Sequence, residues 1–213
     1  MNTEELIQTL SSDRAPPSRG AVLYRLVLGV GAGTIVSALI MWASLGIRPD
    51  LHAAMGTGAY WMKFFYTLVL AAIGLWVVER LARPGVRADA QALLEAVPLA
   101  AIAAIAVYKL AMAQPDARMT MTMGHSAMVC PWLILGLSLP ILLGGIWALR
   151  GLAPVRLTLA GFGIGILAGA ASAFVYGFHC DESGMPFVAI FYTLGILAAG
   201  VIGAAVGRVA LRW

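Results

Sequence analysis

The chain has 213 residues, of which 61% are hydrophobic and only 11% charged, with a formal net charge of +4 and a mean hydropathy of +0.89. That composition lies far from that of soluble domains, so it excludes a water-soluble monomer and a soluble enzyme. The small positive excess follows from where the arginines sit along the chain and gives no argument for nucleic-acid binding.

Residues 1–21 form a polar N-terminal segment. Asn2 is placed as an N-cap with Glu5 three residues on, which predicts a short helix with Leu6, Ile7 and Leu10 on one face before Asp13 and the Pro16-Pro17 break. A helix of about ten residues is marginal alone in water, so its apolar stripe must lie on something. Membrane docking and a protein groove are both open, but Glu4, Glu5, Asp13 and the absence of a basic face disfavour anionic lipid. The segment is therefore expected to be a cytoplasmic partner-binding element.

A helix crossing a ~30 Å hydrocarbon core needs about 20 apolar residues at ~1.5 Å rise each. Six runs meet this: Val22–Gly46, Tyr60–Val78, Ala92–Met112, Met128–Leu149, Leu157–Phe178 and Pro186–Gly207. The first begins after a polar segment and exceeds a signal-peptide core, so it is expected to remain in the protein. The fold class is all-α, a polytopic bundle of six transmembrane helices arranged as three antiparallel hairpins within residues 22–213. Ten of the 14 basic residues (Arg14, Arg19, Arg25, Arg80, Arg83, Arg87, Arg150, Arg156, Arg208 and Arg212) fall on one side. Arg48, Lys63, Lys109 and Arg118 fall on the other, which predicts that both termini are cytoplasmic.

The sequence also hints at an internal repeat. Phe65-Tyr66-Thr67-Leu68 returns as Phe191-Tyr192-Thr193-Leu194, and each outer loop carries a histidine followed by a methionine: His52 with Met55, His125 with Met128, His179 with Met185. In lipid, helices associate by close packing at small residues. Gly161, Gly165, Gly169, Ala173 and Gly177 form one ridge, and Gly195, Ala199, Gly203 and Gly207 another, which predicts that spans five and six pack together. Gly29 and Gly33 predict a close contact of span one, either within the chain or in a homodimer. Pro98, Pro131 and Pro140 are candidate kinks of spans three and four.

The outer face carries the chemistry. Cys130 begins span four and Cys180 follows span five, so both cysteines share one face. His125, His179, Asp181, Glu182 and the alternating Met119, Met121 and Met123 lie nearby in sequence. Thiolate and thioether are soft donors that favour Cu(I), and imidazole suits copper or zinc, so these residues are a candidate metal site with copper favoured as a signal ligand and no obligatory cofactor. Two alternatives stay open: the methionines fill gaps in a lipid-facing surface, or the cysteines form a structural disulfide. His52 reads as a solvated loop residue. Lys63 and Lys109 lie about one turn inside the boundary and are expected to snorkel to the headgroups. The span centres are nearly bare of acidic groups, which argues against transport.

Several stretches, in order, resemble the NrsF family of six-span membrane anti-sigma factors. They are Glu4-Glu5-Leu6-Ile7 with Leu10 and Pro16, Arg48-Pro49-Asp50 through Trp61-Met62-Lys63, Arg83-Pro84-Gly85, His179-Cys180 followed by Phe191-Tyr192-Thr193-Leu194-Gly195, and Leu211-Arg212-Trp213. The resemblance covers essentially the whole chain. It implies a bacterial inner-membrane protein whose cytoplasmic tail holds an extracytoplasmic-function sigma factor inactive. It also implies a periplasmic cysteine pair, here Cys130 and Cys180, needed for release under heavy-metal stress. A quinone-linked thiol oxidoreductase is the enzymatic alternative, weakened by the lack of a Cys-x-x-Cys pair; a copper carrier is another.

Overall fold

The computed structural model describes residues 2–4, 19–83, 93–152 and 154–212. Leu6, Ile7 and Leu10 lie outside the described residues; ahead of them, Thr3 and Glu4 are helical after Asn2. Among the described residues every regular element is helical, and six helices are long and apolar enough to cross a membrane.

Span one is α1 (Arg19–Ser44). A short α2 (Leu51–Met55) leads into span two, α3 (Gly58–Leu81), which starts at the Thr57 N-cap where the side-chain oxygen accepts the Tyr60 N–H at 3.3 Å. Span three is α4 (Ala96–Met112), entered through a 3₁₀ turn at Leu93–Glu95. It is followed by α5 (Pro115–Met123), with Pro115 at the helix start where a missing N–H costs nothing. Span four is α6 (Cys130–Arg150) and span five α7 (Leu157–Tyr176). Span six begins with α8 (Met185–Phe187), widens into a π turn at Val188–Tyr192, and continues as α9 (Thr193–Ala210). Of the three candidate kinks only Pro140 lies in a helix interior; Pro98 and Pro131 fall in first turns, where proline is tolerated.

Packing follows the small residues. A Cβ on Gly161 would come within 2.3 Å of the Gly203 carbonyl oxygen, and one on Gly165 within 2.4 Å of the Ala199 carbonyl oxygen. The predicted seam between spans five and six is therefore a backbone-to-backbone contact. Gly195, expected in that seam, instead faces span four at Ile134 and Pro131, because a four-residue spacing drifts by about 40° per step around an α-helix. Gly29 lies on Gly144, and Gly33 on Pro140 and Ile141, so this ridge of span one is used within the chain rather than left for a second copy.

Among the described residues the expected hairpin partners five and six pack closely on each other. Span one packs chiefly on span four, span two on span five, and spans one and two touch lightly. Span five is the central helix, flanked by spans two, four and six, and its alternating glycines and alanines explain why three neighbours can crowd it.

Two hydrophobic clusters lie at opposite ends. One gathers Val22, Leu26, Val78, Leu149, Ile164 and Leu211, where the described chain enters span one and leaves span six. The other gathers Cys130, Tyr176, Cys180, Met185, Phe187 and Tyr192.

Candidate functional site

Cys130 is the first residue of α6, and its N–H closes a turn on the Ser126 carbonyl at 2.8 Å. Cys180 lies four residues past α7, its N–H bonded to the Tyr176 carbonyl at 3.0 Å. These two local turns carry residues fifty positions apart in sequence into one buried chamber. Both are free thiols, Cys130 at 0% exposure and Cys180 at 3%. The neighbouring Cys130 thiol, aided by the charge of Lys63, draws the Cys180 thiol below its ordinary pKa against the opposing effect of burial.

Two tyrosines line the chamber, with ring centroids 5.9 Å apart. The Tyr176 hydroxyl faces both sulfurs. Tyr192, brought inward by the π turn, is completely buried, and its hydroxyl faces Cys180 without a hydrogen bond of good geometry. π turns are frequent at functional sites because they reposition one side chain without ending the helix.

Lys63 closes the chamber from span two. The expectation that it snorkels to the headgroups is overturned: it is 2% exposed, and its ammonium donates to the Cys180 carbonyl and the Glu182 carbonyl, both at 2.9 Å. The Tyr192 ring lies 5.7 Å from the charge. The physical reason is helical phase. Lys63 shares the inward face of α3 with Tyr60, Thr67, Leu70 and Gly74, so a side chain leaving that face enters the bundle. Lys109, by contrast, is exposed.

Arg48 approaches the same carbonyl from the loop after span one, its Nη1 donating to the Cys180 oxygen at 3.1 Å. It also forms a two-point ion pair with Asp50, both contacts at 2.7 Å, which raises the Arg48 pKa and holds the Asp50 carboxyl below its usual value. The Arg48 N–H bonds to the Phe178 carbonyl at 3.1 Å, and the His179 ring Nδ1 lies 2.9 Å from the Gly46 carbonyl oxygen. Gly46 has φ +76°, a left-handed conformation that keeps the loop tight against 178–180.

The remaining candidate ligands are not gathered into this chamber. Residues Met119, Met121 and Met123 lie on α5, and residues two apart on a helix point in nearly opposite directions, so the alternation that suggested a shared ligand set spreads the thioethers. Met119 is 72% exposed and Met123 41%, while Met121 is half-buried with its carbonyl against Gly184. His125 has an exposed ring, and its N–H donates to the Glu182 carboxylate. That carboxylate rests on Gly124, whose φ of +50° and missing Cβ make room for it. His52 is exposed on α2.

Among the described residues no group of three or more His, Cys, Asp or Glu side chains is placed to hold a metal ion. What the chamber offers a soft cation is two neighbouring sulfurs, a donor set suited to a thiophilic ion. The burial of Lys63, decisive for the site, was missed in the sequence. Its inward phase relative to Leu70 and Gly74 was the available signal.

A family model described as negative regulator of sigma F, NrsF, matches residues 10–213. The chain is 40% identical over 215 residues to the anti-sigma-F factor NrsF of Caulobacter vibrioides, covering 100% of both chains. It is 36% identical over 213 residues to the probable anti-sigma-F factor NrsF of Azospira oryzae, again over 100% of both. No solved structure matches the chain significantly.

Proposed function

The chain belongs to the NrsF family, the negative regulators of sigma F, and from that premise we propose that its N-terminal segment sequesters an extracytoplasmic-function sigma factor and that its thiol pair governs release. It is a regulator rather than an enzyme, as its relatives are named anti-sigma factors. In this reading the protein sits in the bacterial inner membrane with both termini cytoplasmic, as the arginine bias supports. Leu6, Ile7 and Leu10 form the sigma-facing stripe.

The observation that carries the release mechanism is the pair of buried free thiols, Cys130 and Cys180, gathered into one cluster at the end of the bundle away from the described termini. Facing the periplasm, the pair reacts in one of two balanced ways. A two-electron oxidant takes two electrons and both thiol protons, and one S–S bond forms. Alternatively, a thiophilic ion, copper favoured, displaces both protons and bridges the sulfurs, with His125, His179, Met119, Met121 and Met123 as outlying donors on the same face. Either event shifts the equilibrium toward release only by stabilising one helix arrangement more than the other.

Substituting Cys130→Ser together with Cys180→Ser is expected to leave repression intact while removing the response of a sigma-F-dependent reporter to copper or diamide. A response that persists would sink the thiol mechanism. For the tail, Leu6→Asp with Leu10→Asp is expected to derepress the reporter at unchanged membrane abundance; continued repression would place the sigma-binding surface elsewhere.

A further inference from the structure

Lys63 has an unusual environment for a charged side chain in a membrane bundle. It is almost wholly buried, and among the described residues no carboxylate lies within ion-pair distance of its ammonium. A buried ammonium without an anion is sustained only by well-placed dipoles, since desolvation costs more than one hydrogen bond returns. Here those dipoles are the carbonyls of Cys180 and Glu182, with the Tyr192 ring beneath. The arrangement is also crowded with positive charge, because Arg48 donates to the same Cys180 oxygen.

Cys180 therefore carries two functions three bonds apart. Its sulfur meets Cys130, and its carbonyl holds span two through Lys63. Joining the sulfurs, whether by an S–S bond or by a bridging ion, fixes torsions that the thiol pair leaves free. The same residue's backbone carries the carbonyl that the ammonium uses, and lipid offers the ammonium no replacement dipole. Span two in turn packs on the central span five through Gly74 against Leu167.

We propose that Lys63 is a positioning residue that couples the thiol pair to span two, pinning the 180–182 segment in the sigma-holding state and losing its grip when the two sulfurs are joined. The inference rests on the thiol-release reading above and adds the route by which the bundle responds. Lys63 donates its hydrogen bonds to the two carbonyls and none to either sulfur, although its charge also acts on the Cys180 thiol. Its part is to make the position of one carbonyl matter to a neighbouring helix.

The test uses the full chain in cells with a sigma-F-dependent reporter and an immunoblot of membranes. Lys63→Met is expected to raise the unstimulated reporter at least tenfold at unchanged membrane abundance, and to do so equally in the Cys130→Ser, Cys180→Ser background, because it acts downstream of the sulfurs. Lys63→Arg, which retains a long cation with several donors, is expected to stay within threefold of the parent, a rescue that general loss of packing would not give. Tight repression by Lys63→Met, with diamide induction intact, overturns the proposal alone. Induction surviving in the double serine chain with Lys63 present overturns the thiol reading, and the proposal falls with it.

Should Lys63→Met fail to accumulate, hydrogen exchange on the purified parent protein decides. Diamide is expected to speed exchange at least fivefold both in 178–184 and in the first turns of α3. Acceleration confined to 178–184 would show that span two is not coupled and would overturn the proposal.

Discussion

Toward the described termini, spans five and six meet backbone to backbone at Gly161, Gly165, Gly203 and Gly207. At the cysteine end the same two helices meet through the rings of Tyr176 and Tyr192, and side chains from span two and the loop after span one complete the contact. A glycine seam contains nothing that a proton, oxidant or metal can alter, and it holds only while two backbones stay within van der Waals reach. The tyrosine–cysteine end is held by individual hydrogen bonds, each of which depends on the state of one group. In the mechanism proposed above, chemical input enters at the tyrosine–cysteine end and the glycine seam serves as the fixed reference.

This contrast can be broken most severely at the seam. Gly165→Leu would drive a side chain into the Ala199 carbonyl oxygen, and folded protein is expected to be lost outright, as read by detergent-resistant monodispersity after mild extraction. At the other end, Phe187→Ala empties a fully buried site. It is expected to cost about 2 kcal/mol in a thermal melt, less than in a soluble core because lipid rather than water receives the unpacked surface. Tyr66→Phe removes the 2.7 Å bond to the Thr193 hydroxyl that ties span two to span six. A loss of roughly 0.6 kcal/mol in the same melt is expected.

The smallest effect is assigned to Asp50→Asn, because the carboxylate is exposed and its pairing with Arg48 is screened. Arg48 depresses the Asp50 pKa in the folded state, so the folded chain binds that proton less readily than the unfolded chain. The contribution is present above the unfolded value and is lost as pH falls through the lower folded value. A melt series descending from pH 6 is expected to fall less steeply at its acid end for Asp50→Asn than for the parent. A steeper fall in the variant would reverse the assigned sign.

Much of the bundle was legible because lipid imposes strong constraints on sequence. The spans Gly20–Ser44 and Leu93–Met112 lie within two residues of the apolar runs read from composition, and the glycine ridge of span five was visible from its four-residue spacing. Which span each ridge meets was less legible, since spacing gives a face and not a neighbour. Gly29 and Gly33 were equally compatible with a second copy until Gly144 and Ile141 were found opposite them. At the site, the shared face of Cys130 and Cys180 followed from topology, but their contact depended on two turns outside the spans. The methionine run is not gathered at the thiols for a simple reason. Residues 119–123 are helical, and an alternating pattern converges only in an extended chain.

The widened turn at Val188–Tyr192 gives span six a built-in offset. Each residue of an α-helix advances the azimuth by about 100°, so excising one position from this turn would realign everything upstream relative to everything downstream by about that angle. Tyr192 would swing out of the chamber if Gly203 and Gly207 kept their register, or the glycines would leave span five if Tyr192 kept its place. One extra residue thus reconciles two incompatible phase demands on a single rod, and a one-residue deletion there should be more damaging than any single substitution in the same five positions.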